Sequence, residues 1–212
     1  MRLEKEREAI CEYARRMLRA GLTRGSGGNI SVLDRGALVM AITPSGVDYE
    51  KMGPGDIVLL DMEGKTLEGR LKPSSEWQMH LACYRARADV NAVVHTHSTF
   101  AVTLACLGWE IPPVHYLIGY AGTRVRCCRY ERFGSEALAQ LAAETLGQEN
   151  AVLLGNHGLL ATGPTLSYAF NAAEETEFVA EIYYRARLAG EPVLLPEEEM
   201  REVAPLFRTY GQ

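Results

Sequence analysis

Thiol and imidazole side chains are scarce in this chain, which carries five cysteines and five histidines in 212 residues. The cysteine number is odd and no CxxC pair occurs, so neither a disulfide framework nor a paired-thiolate metal site is expected. Cys127 and Cys128 are adjacent, and because a disulfide between neighbours is strained, both are read as buried free thiols. No apolar run is long enough to span a bilayer, and no polybasic cluster occurs. The formal net charge of −5 and a pI near 5.6 give no electrostatic footprint for nucleic acid. Neither nucleic acid nor a membrane is therefore expected as a partner. The stretch Met1–Glu6 is charged and lacks the apolar centre of a signal peptide, which with the unpaired cysteines points to a reducing cytoplasm. Repeats, low-complexity tracts and linkers that would divide domains are absent as well. What remains is ordinary globular composition, 47% hydrophobic and 23% charged, enough for one generous domain.

Apolar residues Ile10, Ala14, Met17 and Leu18 recur at helical spacing and stop at Gly21, predicting an opening amphipathic helix. Strand-like runs follow over Ile30–Leu33, Ala37–Ile42 and Ile57–Leu60, with short polar or glycine-containing links that predict hairpins. A helix is expected from Ser75, a strand over Ala92–His95 and a helix near Thr99–Leu107. Two more helices are expected over about 135–146 and 165–189, the longer one ended by Gly190. Its Phe170, Phe178 and Ile182 should cover a sheet face, and its Glu174, Glu175 and Glu177 should form a solvated one. The expected fold class is α/β: a single three-layer domain with a central, mostly antiparallel or mixed sheet and helices on both faces.

His95 and His97 end the apolar run Asn91–Val94, one threonine apart. Alternate residues of a strand share a face, so both rings can converge on one ion. Zinc suits neutral imidazole, but a catalytic zinc site needs three protein ligands and an open position, and a solvated or hydrogen-bonded pair is the commoner use of such a motif. A third ligand is offered by His157 in Leu153–Leu160, which reads as a buried strand broken by a tight turn, although Asn156-His157-Gly158 also suits a plain hairpin turn. His80 falls in a helix and His115 follows two prolines, so both compete poorly. In Lys72–His80, Pro73 and the serines mark a helix start. Ser74 and Ser75 there suit an anion, whereas Glu76 is either an acid-base group or a capping carboxylate. The glycine-rich Gly25–Asn29 and the turn Thr43–Gly46 are further candidate anion loops. The former precedes a strand rather than a helix, so it is not a dinucleotide fingerprint, and no Walker A sequence occurs.

Taken in order, Gly25–Ser31, Thr43–Gly46, Pro73–Glu76, His95–His97, Ile111–Tyr116, Asn156–Leu159 and Phe207–Gly211 resemble the class II aldolase and L-ribulose-5-phosphate 4-epimerase family over nearly the whole chain. The resemblance implies one zinc ion per subunit on His95, His97 and His157, with Glu76 as a catalytic carboxylate. It implies a substrate phosphate held by Asn29, Ser45, Gly46, Ser74 and Ser75, and a tyrosine, Tyr116, reaching into a neighbouring subunit's site of a homotetramer. Ser26, Phe133, Phe207 and Tyr210 would line the substrate, with a flexible segment over about 192–212 close to the active site. The implied reaction is reversible cleavage of a phosphorylated ketose, with L-fuculose 1-phosphate favoured, to dihydroxyacetone phosphate and L-lactaldehyde. Alternatives on the same scaffold are an epimerase, a dehydratase and a decarboxylase. Epimerases of the family carry aspartate where this chain has Glu76, and some relatives have histidine where it has Asn156. Adducin heads resemble the family but lack its zinc histidines, all three of which are present here.

Overall fold

The computed structural model describes residues 1–208, so the expected substrate-lining Tyr210 lies outside the described residues. The chain opens with α1 (Glu4–Arg19), whose Ile10, Ala14 and Met17 are buried as their spacing predicts. Four strands follow in meander: β1 (Asn29–Asp34), β2 (Val39–Ile42), β3 (Val58–Asp61) and β4 (Thr66–Glu68). Then come α2 (Trp77–Ala86), β5 (Ala92–Thr96), α3 (Thr99–Leu107), β6 (Arg126–Cys128), α4 (Glu136–Leu146), β7 (Ala151–Leu154), β8 (Gly158–Gly163), α5 (Leu166–Ala189) and α6 (Glu197–Val203). The eight strands form one sheet in the order β4-β3-β2-β1-β5-β8-β7-β6. Every pairing is antiparallel except β6 with β7.

Both faces of this sheet are covered. In β5, Ala92 and Val94 join a core with α1, α3 and α5, while Val93 between them joins a second core with α2 and α4. Alternation along one strand thus feeds two hydrophobic layers, as expected of a strand buried on both sides. No helix among the described residues is long and apolar enough to cross a membrane. All five cysteines are free; Cys128 is buried, but Cys127 is only partly so.

Several boundaries and roles differ from expectation. Strand β2 starts at Val39 rather than Ala37, because Asp34 accepts hydrogen bonds from the backbone of Gly36 and Ala37 and Leu38 takes a left-handed φ of 52°. Strands β4 and β6 were not foreseen: β4 is exposed throughout and shows no apolar alternation, and β6 is three residues long. Glu177 is not simply part of a solvated face. Its carboxylate accepts from the backbone N–H groups of Phe100 and Ala101, both at 2.8 Å, so a side chain from α5 satisfies the N-terminus of α3. Phe178 is 46% exposed, and the sheet-facing stripe of α5 runs instead through Ala169, Phe170, Ala172, Ala173 and Ala180. Residues of the 192–208 segment are anchored at Leu195, whose N–H donates to Pro113, and at the buried Met200 and Phe207.

Candidate metal centre

Strand β5 lies between β1 and β8, and its C-terminal end carries His95 and leads into His97, which lines a cavity. His95 is fully buried, and its Nδ1 donates to the Leu159 carbonyl on β8 at 2.9 Å. A carbonyl can only accept, so Nδ1 carries a proton, while Nε2 faces Nε2 of His97 at 3.0 Å. His157 arrives from the turn between β7 and β8, where Asn156 takes a left-handed φ of 52°. The three ring centroids lie 4.8, 4.8 and 5.2 Å apart. The turn therefore aims its ring inward and is more than a hairpin connection.

Glu76 sits at the N-cap of α2, yet its carboxylate makes no capping bond. It instead reaches His95 Nε2 at 3.3 Å through Oε2 and His157 Nε2 at 3.2 Å through Oε1, and it accepts from Asn29 Nδ2 at 2.9 Å. Just ahead of the helix, the Ser74 hydroxyl accepts from the Glu76 backbone N–H at 3.3 Å. Burial works to raise the Glu76 pKa, but the His95 and His157 rings and the Asn29 amide outweigh it and hold the carboxyl well below the usual range. His97 and His157 are pushed down to about 4, chiefly by burial and then by the neighbouring His95 ring. At neutral pH Glu76 is therefore a carboxylate beside the neutral rings of His97 and His157.

This donor set fits a divalent cation. The ligating atoms of Glu76, His95, His97 and His157 all lie within 4.8 Å of one another. Glu76 Oε1 and His157 Nδ1 are buried without a hydrogen-bond partner, which is costly unless an additional group completes them. Three imidazoles and a carboxylate are the donor chemistry of zinc and its divalent neighbours.

The cavity holds about 370 Å³ and extends from the histidines to three loops. Ser26, Asn29, Ser45, Gly46, Ser74, Ser75 and Phe133 all line it, as do Glu76, His97 and His157. The loops are tied together: Ser45 N–H donates to Lys72, Ser74 N–H to Thr43, and the Tyr49 hydroxyl to Gly28. Gly28, at φ 68°, is required there, because a Cβ would stand 2.4 Å from the His95 carbonyl oxygen. No lysine or arginine lines the cavity among the described residues. Asn29 faces the cavity, but both ends of its amide are engaged, one by Glu76 and one by His80.

Tyr116 and Phe207 stand apart from this cavity. Tyr116 is 52% exposed and stacks on Phe207, which is buried against Tyr120 and beside Gly119. Tyr130 and Asn156 also line the cavity, although sequence reading did not assign them to the substrate. An aromatic three residues before Phe133 in the short segment before α4 was the available signal for Tyr130.

The description of the Class II Aldolase and Adducin N-terminal domain family matches residues 8–184. The chain belongs to this family. It is 52% identical to a 5-deoxy-D-ribulose 1-phosphate aldolase of Bacillus thuringiensis over the full length of both chains. Over all of this chain and 98% of the relative, it is 39% identical to the L-fuculose phosphate aldolase of Escherichia coli strain K12. A solved structure of an L-fuculose 1-phosphate aldolase superimposes with a TM-score of 0.95 at 44% identity, covering 98% of each chain. The chain is a class II aldolase, a metal-dependent aldehyde-lyase acting on phosphorylated sugars.

Proposed function

We propose that this aldolase, with zinc on His95, His97 and His157, reversibly cleaves a deoxyketose 1-phosphate to dihydroxyacetone phosphate and a short aldehyde. The carrying observation is Glu76, a buried carboxylate placed against both His95 and His157 at the inner end of the cavity. Bound zinc would supply Lewis-acid stabilisation of the negative charge that develops on the ketose oxygens as the carbon-carbon bond breaks. In the condensation direction Glu76, ionised at neutral pH, takes the proton from C3 of dihydroxyacetone phosphate. The electron pair left at C3 forms the bond to the aldehyde carbon, and Tyr116 of an adjoining subunit protonates the aldehyde oxygen. Cleavage reverses each transfer, so Glu76 returns the proton to C3. The exposure of Tyr116, away from the cavity of its own chain, supports service across an interface, and the oligomer proposed is a homotetramer with active sites between subunits. The working compartment proposed is the cytoplasm.

The substrate phosphate is assigned to the Ser45, Gly46, Ser74 and Ser75 loops together with Asn29, whose neutral polar side chains line this part of the cavity. Ser26 and Phe133 line the rest of the cavity, and Phe207 and Tyr210 are kept as proposed contributors to the aldehyde end. The relative at 52% identity is named for 5-deoxy-D-ribulose 1-phosphate, which moves that ketose ahead of the L-fuculose 1-phosphate expected from sequence. Both carry a C1 phosphate, a C2 carbonyl and a C3 hydroxyl, and both yield dihydroxyacetone phosphate, with acetaldehyde or L-lactaldehyde as the partner product. Glu76 in place of aspartate favours cleavage over epimerisation. The test is triose phosphate release from each ketose phosphate, with and without a chelator. Release from neither, or release unaffected by complete metal removal, overturns the proposal.

A further inference from the structure

Running back from Glu76, five polar side chains form a continuous ladder between one strand and one helix, of which Ser31, His80 and Tyr84 do not line the cavity. Asn29 and Ser31 are alternate residues of β1 and share a face. Glu76, His80 and Tyr84 follow one another at intervals of four along α2 and share a stripe. Asn29, Ser31, His80 and Tyr84 are at most 3% exposed. Such a group is costly in an apolar layer unless every member is satisfied, and here every link is made. Asn29 Nδ2 to Glu76 Oε2 spans 2.9 Å, Asn29 Oδ1 to His80 Nε2 2.5 Å, His80 Nδ1 to Ser31 Oγ 2.6 Å, and Ser31 Oγ to Tyr84 OH 2.6 Å.

The direction of every bond follows from the chemistry of the groups. The ionised Glu76 carboxylate can only accept, so the Asn29 amide must present its NH₂ to it. That turns the amide oxygen toward His80, which must donate from Nε2. A neutral imidazole has one ring proton, so Nδ1 accepts from the Ser31 hydroxyl. The Ser31 proton is then used, and its oxygen accepts from Tyr84. A reversed Asn29 amide would set its oxygen against the carboxylate, two acceptors with no proton between them.

We infer that His80 is a positioning residue for the aldol reaction: through Asn29 it locks the Glu76 carboxylate in the orientation from which it exchanges the C3 proton. His80 neither lines the cavity nor belongs to the cluster of Glu76 and three histidines. The inference rests on the proposed role of Glu76, but the hydrogen-bond direction stands apart from it and is tested separately.

Two measurements decide it. The first is ¹⁵N NMR of histidine-labelled, metal-loaded enzyme, in which His80 should be neutral, protonated at Nε2 and protected from exchange. Protonation at Nδ1 overturns the inference whether or not the enzyme cleaves a ketose phosphate. The second is a comparison of His80→Leu with His80→Gln, whose amide N–H can reach the Asn29 oxygen. The leucine variant should lose about 10- to 100-fold in kcat, as typical for groups that orient a reacting side chain, with bound metal unchanged. The glutamine variant should recover most of that loss. Should the leucine variant misfold, Ser31→Ala, which removes the donor to Nδ1, should lower kcat with bound metal unchanged. Unaltered kcat in a folded variant, or a loss that follows metal content and is not rescued by glutamine, overturns the inference. An inactive parent enzyme would instead overturn the proposed function, leaving the NMR result to judge the ladder.

Discussion

Replacing Gly158 by alanine tests the convergence of the three histidines with a single methyl group. Gly158 opens β8 directly after His157, and a Cβ there would lie 2.4 Å from the Thr96 carbonyl oxygen and 3.0 Å from carbons of both the His95 and His97 rings. An ordinary carbon-oxygen contact is about 3.3–3.6 Å, so β5 and β8 must separate locally by up to roughly 1 Å. The nearest atom belongs to backbone, so no flexible side chain can swing aside to absorb the clash. Overpacking of this kind costs about 1–3 kcal/mol, which in a chain of this size lowers Tm by about 2–12 °C. The displaced strand end carries two candidate ligands, so affinity for the cation should fall by about 10- to 100-fold, in line with the loss of ligand support elsewhere. Thermal unfolding of the metal-free protein reads the first effect, and competition against a chromogenic chelator reads the second. Gly55→Ala, where an added Cβ meets nothing within 4 Å, is the control and should leave both unchanged. Wild-type Tm and wild-type metal affinity in Gly158→Ala would show that the strands do not meet as described, and the ligand geometry would go with them.

Other perturbations probe separate links. His157→Ala should lose most bound zinc and cleavage activity, because two imidazoles hold the ion poorly; full zinc content by atomic spectroscopy would remove His157 from the ligand set. Glu76→Gln should keep its metal but lose about 100-fold or more of proton exchange at C3 of dihydroxyacetone phosphate, by analogy with other positioned acid-base groups; an unchanged hydrogen-deuterium exchange rate would identify another base. Glu177→Ala leaves the N–H groups of Phe100 and Ala101 without their acceptor and should cost about 1–2 kcal/mol in chemical denaturation, whereas a loss below a few tenths would make the contact incidental. Burial pushes His80 from 6.5 down to about 3 in the folded protein, so above pH 6.5 neither state is protonated and no stability is lost. As the pH falls below 6.5, only the unfolded state takes up this proton, and stability should decline by about 1.4 kcal/mol per pH unit more steeply than in His80→Gln; parallel denaturation slopes for the two would refute the neutral burial of His80.

Much of the site was legible before any coordinates. The strand ending in His95 and His97, the turn presenting His157 and the helix beginning near Glu76 follow from alternation, turn residues and capping residues, all of which act over a few neighbours. The hydroxyl- and glycine-bearing loops were likewise visible as loops, and they do line the cavity. Resemblance to a known family added the roles that local patterns left open, such as Glu76 acting as more than a cap. The exposed β4 lacked any periodic signal, and the true start of β2 turned on the Asp34 side chain.

Sequence by itself determined which backbone conformation each stretch prefers and which side chains share a face, because those preferences are set by sterics and hydrogen bonds within a turn or two. The tertiary structure alone decided that β5 pairs with β8, bringing Thr96 opposite Leu159 and hence His97 beside His157. It alone turned His80, dismissed as a ligand, into the buried partner of Asn29, and Glu177, expected in solvent, into the acceptor for α3. Those outcomes depend on contacts between residues tens of positions apart, selected by the packing of two hydrophobic layers against one sheet, and no local pattern carries that information.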